Sequence, residues 1–97
     1  MDTKNVRRSK IGHWFEIGER VVGEYYNQPF SGVVAATRVN RGKGPVQRVT
    51  VRLDLNIVVL GSVLETVQLD VDFEGNGVFR HGLYREFLRL DYRNYLQ

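Results

Sequence analysis

The side chains best suited to chemistry fall into two blocks of opposite sign. From Tyr25 to Leu53 there are five cations, Arg38, Arg41, Lys43, Arg48 and Arg52, and no acid. From Asp54 to Phe79 there are five carboxylates, Asp54, Glu65, Asp70, Asp72 and Glu74, and no base. Four of the five cations are arginine, whose planar fork suits bidentate contact to phosphate or carboxylate, or stacking on a base. With Tyr25, Tyr26 and Phe30 near in sequence, the block reads as a basic β-ribbon that tracks a nucleic-acid backbone. A competing expectation is internal neutralisation. If the strand over 46–54 neighbours that over 65–74, Arg48 and Arg52 face Asp70 and Asp72, and each exposed pair contributes only a few tenths of a kcal/mol while cancelling the patch. Arg41 and Lys43 fall in the turn Asn40–Pro45 and escape that pairing.

Other chemistries find little support. Asp70, Asp72 and Glu74 alternate along one strand face, roughly 7 Å apart, and lack the loop a hard cation needs. They read as a solvated face, or as a mimic of nucleic-acid phosphates. His13 and His81 are the only histidines, there is no cysteine, and no HExxH spacing occurs, so no zinc site is expected. Ser9, Ser31 and Ser62 sit in no nucleophile elbow, and Asn40–Pro45 lacks the spacing of a phosphate-binding P-loop. The expectation is a non-enzymatic protein without cofactor or metal.

The net charge of +3 and the pI near 9.5 belong to the first ten residues, where Lys4, Arg7, Arg8 and Lys10 oppose Asp2. The remaining chain is neutral. Residues 1–12 read as a flexible basic arm and 13–97 as one domain, since 97 residues build a single core. The longest apolar stretch, Ile57 to Leu64, is far shorter than the ~20 residues of a membrane helix, and the N-terminus lacks a secretory apolar run. The chain reads as soluble and cytoplasmic.

The elements that must position the arginines are strands. Glu19–Tyr26 is rich in β-branched and aromatic residues. Asn27-Gln28-Pro29 punctuates it, and Phe30–Val39 follows, with Gly32 suited to a bulge or tight bend. Val46–Asp54 alternates, Val49, Val51 and Leu53 on one face and Arg48, Thr50 and Arg52 on the other. Ile57–Leu60 has no alternation and reads as a short strand buried on both sides or bent into the core. Glu65–Glu74 alternates most strictly, with Val67, Leu69, Val71 and Phe73 inward. Gly75-Asn76-Gly77 is a hairpin signal, after which Val78 and Phe79 begin a returning strand. Trp14 and Phe15 read as a core lid. The last segment suggests one helical turn near Leu83–Phe87 and a short strand.

The stretches GERVVGEYY, PFSGVV and LYREFLRLD, about a third of the chain, resemble small SH3-like β-barrels of the KOW and Tudor kind. That resemblance implies an all-β, mainly antiparallel curled sheet or barrel of five to six strands, with a short helical turn near the C-terminus. It also implies loops that bind nucleic acid or peptide. Two functions are therefore expected: a nucleic-acid-binding accessory protein using the basic hairpin, or a protein-interaction module (a small inhibitor, an adaptor or a self-associating subunit). The second would use Tyr84, Tyr92 and Tyr95, since tyrosine is enriched at interfaces. Opposite charges on two faces also suit a homodimer.

Overall fold

The computed structural model describes residues 14–40, 46–78 and 84–92. The arm 1–12, His13, Arg41, Lys43, His81 and Tyr95 lie outside them.

Five strands build one antiparallel sheet: β1 Arg20–Tyr25, β2 Gln28–Asn40, β3 Val46–Val59, β4 Ser62–Val71 and β5 Phe87–Leu90. Their spatial order is β4-β3-β2-β1-β5. The period-2 pattern decides which face is core. Val21, Phe30, Val34, Val49, Val51, Val67, Leu69, Val71 and Leu88 point to one side and form a single cluster with Phe15, Leu53 and Leu90. The arginines of β3 alternate with them and are carried to the other side.

The hairpin turns follow from backbone geometry. β1 and β2 are joined by Tyr26 and Asn27, at φ 51° and 66°. Both angles are positive, as a two-residue type I′ turn requires. Gln28 and Pro29, expected as punctuation, instead open β2, with Pro29 opposite Glu24. Pro29 is tolerated because the ladder to β3 begins only at Gly32, so its missing N–H breaks no bond. The bulge expected at Gly32 falls between Val34 and Ala36. Gly32 is there for another reason: a Cβ would run into the Arg52 carbonyl of β3.

Several expectations are corrected. The sheet is open and is not a closed barrel; among the described residues its two edges are joined by no shared ladder, and the segment 75–78 links them through the isolated bridges Val71–Gly77 and Asn76–Phe87. Residues 84–86 form no helical turn and Phe87 is already in β5, because the segment is held by sheet-like bonds from Gly77 N–H to Glu86 O and from Leu88 N–H to Gly75 O, 2.9 and 2.8 Å. Ile57–Leu60 is not buried on both sides. It continues β3 into a projecting hairpin on which Val58 and Leu60 are 55% and 76% exposed. Phe73 is not inward either: β4 ends at Val71, and Phe73 is 44% exposed with its ring edge-on to Trp14 at 4.9 Å. Phe15, by contrast, enters the core.

Candidate nucleic-acid interface

The outer face is read row by row from the register. Arg38 of β2 lies directly opposite Arg48 of β3, and Arg48 opposite Asp70 of β4. Arg48 donates from Nε and Nη2 to the two carboxylate oxygens of Asp70 at 2.9 and 3.0 Å. That bidentate geometry raises the Arg48 pKa further above its ordinary value, through the hydrogen bond first and the nearby charge second.

Arg52 was expected to face an acid too, and it does not. It lies between Val33 and Thr66. In an antiparallel pair, four residues forward on one strand is four back on its neighbour, so Asp70 and Asp72 can never both oppose Arg48 and Arg52. Asp72 is committed elsewhere. Its Oδ1 accepts the N–H groups of Glu74 and Asn76 at 2.8 and 2.9 Å, which makes it the organiser of the 72–76 turn. Among the described residues no carboxylate lies within ion-pair distance of Arg38 or Arg52, and both are exposed. The internal neutralisation thus reaches one arginine of the three described.

A second ion pair on this face was not anticipated. Asp54 receives two bonds from Arg20, at 2.9 and 2.5 Å, and one from the Ser31 hydroxyl at 2.7 Å. The Arg20 bonds, then the Ser31 bond, hold the Asp54 carboxyl down at about 2. The signal was present in the β2–β3 pairing, which continues from Gly32–Leu53 to place Ser31 beside Asp54.

Beyond Asp54 lies a groove of about 670 Å³, lined by Val22, Glu24, Pro29, Ile57, Phe87 and Arg89 among others. The guanidinium groups of Arg85 and Arg89 lie 5.0 and 4.7 Å from the centre of the Phe87 ring, a cation–π arrangement. Tyr84 sits above this end, its ring 4.7 Å from Tyr26, which is itself 4.9 Å from Tyr25. Asn27 ties the cluster down: its Oδ1 accepts the Arg85 N–H at 2.7 Å and its own N–H donates to the Arg85 carbonyl at 3.2 Å. Tyr92 is remote from Tyr84 in role, half-buried against the core.

Among the described residues no group of three or more His, Asp or Glu side chains is placed to hold a metal ion. Nor is any helix there long and apolar enough to cross a membrane. The fold and face together define an all-β protein with an arginine-bearing sheet surface. Comparison of the chain with family models, curated proteins and solved structures found no match.

Proposed function

We propose that this protein is a non-catalytic nucleic-acid-binding accessory protein that grips a phosphate backbone with the outer face of β2 and β3. The observation that carries the proposal is the row Arg38–Arg48–Asp70. Two like charges set directly opposite each other destabilise a sheet, and one carboxylate offsets only one of them. A phosphate supplies the missing anion. Arg52 extends the positive strip along β3, since Asp54 beside it is already engaged by Arg20. Arg41 and Lys43 join β2 to β3 in sequence and add charge to the same hairpin.

The test is titration with random-sequence DNA and RNA across salt concentrations. Each phosphate contact contributes a slope of about −0.7 to −0.9 in log K against log salt. The Arg38→Ala/Arg52→Ala double variant is expected to flatten the slope by roughly two contacts, and Arg41→Ala/Lys43→Ala to do likewise. Absence of binding at low salt, or slopes indifferent to all four changes, would remove the proposal. A protein partner is the alternative, favoured by the ring cluster of Tyr25, Tyr26 and Tyr84 beside the Phe87 groove. In that case Tyr84→Ala weakens capture of the partner while polyanion binding is untouched.

A further inference from the structure

From Leu55 to Leu64 the chain carries no charged residue, yet the hairpin built from this stretch is largely bare. Val58 and Val63 are paired directly across it and are 55% and 65% exposed, with Leu60 at the tip 76% exposed. The alternate rungs are covered: Ile57 and Leu64 pack against the core cluster and Val59 is buried. The hairpin therefore has one seated side and one apolar side facing out.

It also borders a free edge. β4 is the terminal strand of the sheet, and among the described residues nothing pairs with the segment 62–69 on its outer side; the bridge at Val71 and the bond from Val78 N–H to Asp70 O cover its last residues. Which backbone groups point outward follows from the turn. Leu60 and Gly61, at φ 50° and 81°, form a two-residue type I′ turn closed by Val59–Ser62, and the closing pair exchanges both backbone hydrogen bonds. By alternation the N–H and C=O of Val63 project away from β3; past the register shift between Arg52 and Ile57 the phase changes, and the Asp70 C=O faces outward to Val78. Open backbone donors and acceptors on a strand edge call for another strand. A lipid surface cannot satisfy them, and the stretch has no lysine or arginine to attract an anionic headgroup or a phosphate.

We infer that the β4 edge pairs antiparallel with the β4 edge of a second copy of this chain, about a twofold axis at Val63. In this register each Val63 exchanges both backbone hydrogen bonds with its counterpart, a closed and self-complementary contact. The side chains then form one uninterrupted apolar row, Val58 and Val63 of one protomer followed by Val63 and Val58 of the partner subunit. Charge supports this register over its neighbours. Glu65 falls opposite Gly61 of the partner subunit, so the two Glu65 carboxylates stand about 14 Å apart along the strands; a twofold centred on Glu65 would set them face to face. The axis runs normal to the sheet, which keeps the outer faces of both protomers on one side of a ten-stranded sheet. None of this depends on the polyanion proposal.

The full chain is examined by sedimentation over micromolar concentrations, and a dimer is expected. Val63→Pro deletes the outward N–H without touching the ladder to β3 and is expected to weaken the dimer at least about tenfold. Since the chain has no cysteine, Val63→Cys supplies an independent reading. Paired Cα atoms about 5.5 Å apart suit a disulfide, so mild oxidation is expected to link Val63→Cys into covalent dimers and to leave Glu65→Cys unlinked. A wild-type chain that stays monomeric overturns the inference, as does a dimer indifferent to Val63→Pro. Equal cross-linking at both positions overturns it as well. Should Val63→Pro fail to fold, the pair of cysteine variants decides.

Discussion

At the scale of single residues, a few polar side chains set what the sheet can hold. Gln47 is 1% exposed. Its amide accepts the Phe15 N–H and donates to the Phe15 carbonyl, both at 2.8 Å, and so takes the place of a missing strand neighbour. Gln47→Ala is expected to lose roughly 2–4 kcal/mol in urea unfolding, because both backbone groups of Phe15 stay buried without a partner. Asp54 has a pH signature. Its pKa lies at about 2 in the folded protein against 3.8 ordinarily, so its contribution is complete above about pH 4 and is lost as pH falls through about 2. The pair is more than a third exposed on both sides, which limits the effect to about 1 kcal/mol or less. Acid unfolding of Asp54→Asn should show a correspondingly flatter dependence between pH 4 and pH 2 than the wild type. Asp70→Asn releases Arg48 and is expected to steepen the salt slope of polyanion binding by about one contact, with little change in stability because the pair is solvent-screened. A slope unchanged by Asp70→Asn would mean that Arg48 takes no part. The Arg48–Asp70 pair was readable from alternation. Gln47 was not, since an amide in a strand looks the same whether it meets water or a buried backbone.

At the scale of elements, alternation located β1, β2, the first part of β3 and most of β4, because their side chains divide between a core and a solvent face. It misread two places for one reason: a strand's pattern says which side a residue faces, but not whether anything lies there. Phe73 keeps the inward phase of Val67, Leu69 and Val71, yet Asp72 has already turned the chain by capping the N–H groups of Glu74 and Asn76. Ile57–Leu60 is apolar enough for a core, yet past the irregular register between Arg52 and Ile57 only Ile57 and Val59 stay covered while Val58 and Leu60 face out. The chain does turn back at Gly75-Asn76-Gly77, but through isolated bridges to β4 and β5; Val78 belongs to no strand, and Phe79 lies outside the described residues. Gly75 sits at φ 87°, and a Cβ there would overlap the Leu88 carbonyl. Gly75→Ala is therefore expected to destabilise by more than about 2 kcal/mol, read as a lower denaturant midpoint. A neutral Gly75→Ala would show that the 72–78 turn can detach from β5 at little cost.

At the scale of the whole molecule, the net positive charge belongs to residues 1–10, while the described arginines of β2 and β3 lie on one sheet face. The four cations of residues 1–10 are expected to contribute up to about three units of the salt slope, so deleting residues 2–12 should leave polyanion binding shallower and still present. Binding that vanishes with the arm would place the contact there and away from the sheet. Composition and period-2 patterning by themselves determined that the chain is all-β, that its strands run antiparallel through short turns, and that the arginines of β3 face away from the core. These are local properties, set by side-chain phase and turn chemistry. Register, bulges and sheet order were decided only in three dimensions, because they depend on which strands meet and where each ladder slips. On those depended the separation of Asp70 from Asp72, the position of Arg52 opposite Val33 and Thr66, the Arg20–Asp54 pair and the exposure of Val63 on the edge strand.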